Sequence, residues 1–193
     1  MSEAVKLFPA IHIDLLSGPE EFVLSWDRCF KYDDIYADMY EENYKKTKYT
    51  EGDLLAMFEW KYGKLSPERL KEFKKEVITH LDLINELRLD PDIDKFMSVF
   101  IDLESRWQIM MLHITLSFPL FDEHSWRAYH FIHTAEKLGE LPFDEDEMSI
   151  RYGEYCNFFW DMQKKTPGCS LEQLNNSLWA FGKFLKDYGS LFF

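Results

Sequence analysis

The sequence predicts an all-α protein: an irregular array of about eight helices, folded as a single domain over residues 1–193 that divides naturally into two lobes. Three observations predict this class. Apolar residues recur at three- and four-residue spacing along most of the chain, and alternating strand patterns are scarce. Helix-starting signals, a Ser, Thr or Asp ahead of an apolar run, punctuate that periodicity. Hydrophobic residues make up 46% of the chain and aromatic residues 17%, enough to fill a large core in 193 residues.

Taken in order, IHIDLL (11–16) reads as a short extended piece. A first helix starts near Pro19, with cap positions at Ser17 and Gly18 and a stripe of Phe22, Trp26, Cys29 and Phe30. In YDDIYADMYEENYKK, tyrosines 32, 36, 40 and 44 recur every four residues and so share one helix edge. Acidic residues fill its early turns, and Lys45 and Lys46 close it, as the helix dipole favours. Thr50 and Asp53 form a capping-box pattern before LLAMFEWKYG, which stops at Gly63. Ser66-Pro67 opens one continuous helix to about Arg88, with Leu70, Phe73, Val77, Leu81, Ile84 and Leu87 as its buried stripe.

Asp90-Pro91 restarts the chain, and residues 93–118 read as a single bent helix ending at Pro119. Its second half is apolar nearly all round, which marks the central helix. A helix beginning at Asp122 ends at Gly139, and LPFDEDE (141–147) leads into another over 146–164. Pro167-Gly168 breaks it; Ser170 with Gln173 caps the last helix, whose core positions are Leu174, Leu178, Phe181 and Leu185. The expected lobes are 1–44 with 146–193, around 45–145.

Charge narrows the function classes. The net charge is −13, but residues 45–75 carry +4 while 1–44 carry −7 and 76–150 carry −11. Non-specific nucleic-acid binding comes mainly from phosphate neutralisation, so the molecule as a whole repels DNA. Only Lys45, Lys46, Lys48, Lys61 and Lys64, with the C-terminal lysines, can line a nucleic-acid-binding groove. Cys29, Cys156 and Cys169 have no CxxC spacing and read as reduced thiols of a cytoplasmic protein. No apolar run is long enough to span a bilayer, and the first residues lack the features of a signal peptide. Phosphate-loop, GxSxG and dinucleotide patterns are absent. Histidines 113, 124, 130 and 133 cluster in sequence without Glu-x-x-His spacing, so neither a metal nor another cofactor is expected.

The stretch FPLFDEHSWRAYHFI (118–132) concentrates the chemistry. Asp122 is placed to accept the backbone N–H groups of His124 or Ser125, an N-cap worth about 1 kcal/mol. Phe121 before the cap and Trp126 after it have the spacing of a hydrophobic staple. His113, on the preceding apolar helix, reads as a buried imidazole or as an acid–base partner of Asp122. Arg106, Arg127 and Arg151, rare basic groups in acidic or aromatic surroundings, read as ion-pair partners of nearby acids or as the lining of a small anionic pocket beside Asp122. Trp60 and Trp107 read as core or as base-stacking platforms.

An apolar helix, a proline-containing link, then Asp122, His124 and Arg127 opening the next helix resembles the helix–hairpin–helix DNA glycosylase superfamily. With WKYG (60–63), WQIMMLHI (107–114) and LWAFGKFLK (178–186), the chain is similar to an uncharacterised bacterial all-helical family of glycosylase-like proteins. The resemblance implies that Asp122 stabilises positive charge on the sugar as a base departs, with His124, Arg127 and His113 lining the same cleft. Yet VFIDLESRWQIM (99–110) lacks the family's hairpin glycines, and no lysine there can form a Schiff base, so lyase chemistry is not expected. Two functions follow as expectations. One is a glycosylase-like protein associated with nucleic acid, active or catalytically degenerate. The other is a non-enzymatic protein whose acidic faces, 33–42 and 140–147, bind a basic protein partner. The sequence leaves open whether it is an enzyme, and its oligomeric state.

Overall fold

A computed structural model describes residues 18–30, 37–134 and 145–188. Every regular element among them is helical. The expected extended piece 11–16, the Ser17 cap position, Tyr32, Asp34, Tyr36, Gly139 and residues 140–144 lie outside the described residues, as do the side chains of Asp38, Glu145 and Asp146. In chain order the helices are α1 (Pro19–Asp27), α2 (Ala37–Tyr44), α3 (Glu51–Tyr62), α4 (Pro67–Glu76) and α5 (Leu81–Leu89). They continue as α6 (Ile93–Phe100), α7 (Ser105–Leu116), α8 (Glu123–Thr134), α9 (Glu145–Lys165) and α10 (Leu171–Tyr188).

The chain forms two compact units, Met1–Lys31 with Pro119–Phe193, and Tyr32–Phe118. The divisions therefore fall after residues 31 and 118, where the sequence suggested 44 and 145. Side-chain packing accounts for the difference. Tyr40 of α2 stacks on Trp60 of α3 at 4.2 Å, which ties α2 to the middle segment. Helix α8 packs on α10, which ties it to the C-terminal segment.

In the unit that holds both chain ends, α10 touches α1 as well as α8. Its Phe181 ring meets Phe22 at 5.4 Å, Trp26 at 5.1 Å and Phe131 at 5.6 Å. Edge-on and tilted ring contacts of this kind add to the burial of each ring. Polar ties fix α1 as well: Gly168 N–H donates to Glu20 at 3.0 Å, and the Asn176 amide donates to Asp27 at 3.2 Å. The capping box of α10 forms, with Gln173 N–H donating to Ser170 Oγ at 3.1 Å and Ser170 N–H to Gln173 Oε1 at 2.9 Å. At Gly182 the two helices are in tight backbone contact, because a Cβ there would lie 1.8 Å from the His124 carbonyl oxygen.

In the other unit, α7 is the buried centre: Trp107, Ile109, Met110, Met111, Leu112, His113, Ile114 and Thr115 are all buried. The Thr50–Asp53 capping box and the Ser66 cap form at the starts of α3 and α4. Two expected continuous helices are broken. The helix expected from Pro67 to Arg88 stops at Glu76, makes a 3-10 turn over Ile78–His80 and restarts as α5. Val77, Ile78 and Thr79 are consecutive β-branched residues, poor in a helix interior, and the Thr79 hydroxyl donates to the Lys75 carbonyl at 2.5 Å. The bent helix expected over 93–118 is instead α6 and α7, separated by residues 101–104. The Gln108 amide donates to the Phe100 carbonyl at 2.8 Å and to that of Ile101 at 3.3 Å, satisfying carbonyls that a continuous helix would have used.

A buried polar clamp joins α5 to the link at Tyr49. Tyr49 N–H donates to Asn85 Oδ1 at 2.6 Å, and Asn85 Nδ2 returns a bond to the Tyr49 carbonyl at 3.0 Å. Arg88 lies 4.0 Å over the Tyr49 ring and donates to the carbonyls of Tyr44, Lys46 and Ile114. Among the described residues, no helix is long and apolar enough to cross a membrane.

Gly182→Ala separates packing from propensity. Alanine is favoured over glycine by about 1 kcal/mol in a helix interior. Overpacking against the His124 carbonyl costs about 1–3 kcal/mol and wins. A lower thermal midpoint is therefore expected; a higher one would show that α8 and α10 are not in close contact.

Candidate functional site

Asp122 stands at the entrance of α8 and binds in three directions. Its Oδ1 accepts the N–H groups of His124 at 2.9 Å and Ser125 at 3.1 Å. Its Oδ2 accepts the indole N–H of Trp179, on α10, at 3.1 Å. Asp122 N–H donates to Ser125 Oγ at 2.8 Å, which completes a reciprocal cap. Phe121 and Trp126 meet edge-on at 6.2 Å, as the staple spacing requires. The carboxylate is thus both the N-cap and a hydrogen-bonded link between helices.

His124 and Arg127 lie on the same helix, one turn apart, and the backbone N–H of His124 binds Asp122. The His124 ring contacts Trp179 edge-on at 4.9 Å. Burial lowers its pKa, against the opposing pull of Asp122 and Glu123. Glu123 accepts Lys186 of α10 at 2.5 Å and has its pKa lowered chiefly by that bond. His124 Nε2 lies 3.6 Å from the same Glu123 oxygen, and Arg127 Nη2 lies 4.0 Å from its other oxygen. The Arg127 side chain is only 8% exposed. Neither His124 Nδ1 nor Arg127 Nη1, both buried, has a hydrogen-bond partner. Tyr155 is buried nearby, and burial together with the Asp122 charge raises its pKa well above the ordinary value.

His113 belongs to the other unit and is engaged there at both ring nitrogens. Nδ1–H donates to the Phe118 carbonyl at 2.7 Å, and Nε2 accepts the Tyr40 hydroxyl. Its ring stacks on Tyr44 at 5.1 Å. Burial pushes its pKa down to about 4, so it is a neutral imidazole near neutral pH. It is a connector of α2 and α7.

The lysine set divides by environment. Lys46 donates to Asp53 at 2.5 Å and to Asn43 at 2.7 Å. Lys45, Lys48 and Lys64 are exposed, and Lys61 lies 5.9 Å over the Trp60 ring. Trp60 itself stacks on Tyr40, and Trp107 is buried with Arg69 at 4.2 Å over its ring. Trp107 is thus part of the core, whereas Trp60 is half-buried against Tyr40. Arg151 pairs with Glu147 at 2.8 Å and Glu154 at 3.2 Å. Among the described residues, no group of three or more His, Cys, Asp or Glu side chains can hold a metal ion, and the three cysteines are free.

The structure also presents a surface that the sequence pattern did not single out. Asp82, Glu86, Asp90, Asp92, Asp94 and Asp102 are exposed along α5, α6 and their links. Leu89 is 78% exposed among them, Ile93 43% and Ile101 61%. Ile93, Met97 and Ile101 recur every four residues and so follow one side of α6. Lys95 of α6 pairs with Glu86 of α5 at 2.6 Å, which ties the exposed sides of the two helices together at that point. The available sequence signal was the excess of acids over 82–102, obscured by counting charge over a wider window.

No protein-family model, curated protein or solved structure matches this chain.

The Asp122–Trp179 bond predicts coupled energetics. Asp122→Ala is expected to cost about 1–3 kcal/mol, from the lost cap and the unpaired indole N–H. Denaturant unfolding of Asp122→Ala, Trp179→Phe and the double variant should give a coupling of about 0.5–1.5 kcal/mol. Additive losses would remove the link.

For His113 the folded pKa of about 4 lies below the ordinary 6.5, so the unfolded chain binds more protons between them. Stability is therefore expected to fall as pH drops from about 6.5 toward 4, by up to about 1.4 kcal/mol per pH unit from this group. His113→Gln should flatten the slope of unfolding free energy against pH in that window. An unaltered slope would mean that the imidazole is not buried neutral.

Proposed function

We propose that the protein is a non-enzymatic interaction protein that binds a basic, amphipathic segment of a protein partner. The observation that carries this reading is the acidic surface of α5 and α6 with Leu89, Ile93 and Ile101 exposed within it. Exposed apolar side chains set in a charged surface supply contact area, while the surrounding charge selects the partner and speeds encounter. A helix presenting lysine or arginine beside leucine-like residues matches both features. The net charge of −13 favours such a partner at long range and opposes nucleic acid. The role of Asp122 as an engaged cap and interhelical link supports a structural part for the residue that the glycosylase resemblance would make catalytic.

A glycosylase-like protein acting on nucleic acid is the second reading. What favours it is the grouping of Asp122, His124 and Arg127 at one helix entrance. In that reading the helical scaffold is inherited and the exposed Lys45, Lys48 and Lys64 approach the phosphates.

Fluorescence anisotropy distinguishes the two, using a labelled lysine–leucine helical peptide and a labelled duplex DNA at low and high salt. The first reading expects micromolar peptide binding that weakens with salt, and about tenfold weaker binding in the combined Ile93→Ser and Ile101→Ser variant. The same affinity for the peptide in that variant would overturn it. Salt-sensitive DNA binding, with base release abolished by Asp122→Asn, would establish the second reading.

A further inference from the structure

We propose that the start of α8 and the adjoining side of α10 form a binding site for an oxyanion, a carboxylate or a phosphate group, with Arg127 as its central donor. This site is independent of the α5–α6 surface and lies wholly within the unit that holds both chain ends.

Arg127 is more than nine-tenths buried, yet Glu123 Oε2, the carboxylate oxygen beside it, is 4.0 Å from Nη2 and beyond hydrogen-bond reach. Its Nη1 has no hydrogen-bond partner. A buried guanidinium without a close acceptor carries a large desolvation cost, and its planar fork is shaped for the two oxygens of a carboxylate or phosphate. His124, one turn back on the same helix, has a buried Nδ1 that is also unpartnered. Its neutral ring can present that nitrogen as a second donor.

The two carboxylates already present are otherwise committed. Asp122 accepts from two backbone N–H groups and the Trp179 indole. Glu123 is held by Lys186 at 2.5 Å and is 41% exposed. Glu123 therefore acts as an internal anion beside the arginine, bound to the lysine and standing off from Nη2. Lys186 also adds positive charge close enough to His124 to act on its ring. A buried water would satisfy the hydrogen-bonding of Nη1 but not its charge, which is why an anion is the better fit.

Isothermal titration and thermal shift with sodium phosphate and sodium acetate, against sodium chloride at equal ionic strength, test the site. The wild-type protein is expected to show saturable binding that raises its thermal midpoint. Glu123→Gln removes the competing charge and should tighten binding roughly threefold to tenfold. Arg127→Lys removes the fork and should abolish binding, with circular dichroism confirming the fold. If that variant does not fold, the Arg127 side-chain N–H resonances of the wild type must move on phosphate addition. Phosphate binding without acetate binding would assign a phosphorylated ligand, and the converse a carboxylate ligand. Absence of saturable binding in both wild type and Glu123→Gln, or retention of full affinity in Arg127→Lys, would overturn the proposal.

Discussion

The carboxylate of Asp122 carries the organisation of one unit. Three N–H groups from two helices converge on its two oxygens. Bonds to a charged acceptor are stronger than neutral ones, and leaving such donors unpaired in a half-buried setting is costly. The same few residues therefore fix where α8 begins, how α10 lies against it, and why α10 has a glycine where His124 presents its carbonyl. The aromatic packing of Phe22, Trp26 and Phe131 on Phe181 builds on that fixed pair.

The other unit solves a different problem, which is how to bury α7 on nearly all sides while short helices and links surround it. Its solution is polar as well as apolar. Asn85 pairs with both backbone groups of Tyr49, and Arg88 supplies donors to three carbonyls at or just past helix ends. Backbone groups left unpaired by short links must find side-chain partners when buried. His113 works the same way, joining Tyr40 to the Phe118 carbonyl while remaining neutral. The imidazole thereby cross-links α2 to the end of α7.

Charge is unevenly used. In the paired regions, acids serve as caps and ion-pair partners, as at Asp53 with Lys46 and Glu104 with Arg69. Along α5 and α6 six exposed acids face solvent with Lys95 as an ion-pair partner for Glu86. Surface ion pairs contribute little to stability, so this imbalance has its main consequence in the choice of partner. Exposed isoleucines within it set the surface apart from an ordinary solvated helix face.

The sequence by itself determined the helical class, most helix starts and the identity of the central helix, because these depend on local periodicity and on caps within four residues of one another. Thr50 with Asp53, Ser170 with Gln173 and Asp122 with Ser125 are all such local pairs. It also brought Asp122, His124 and Arg127 onto one helix entrance, since their spacing alone places them there. Tertiary structure decided the rest. The breaks at residues 77–80 and 101–104 arise where side chains such as Thr79 and Gln108 take up backbone carbonyls, a competition that periodicity does not register. The partnership of Asp122 with Trp179 spans 57 residues of chain, and that of His113 with Tyr40 spans 73. Hydrogen bonds over such distances exist only after helices have packed, so whether an aspartate or a histidine is free for chemistry is a property of the fold.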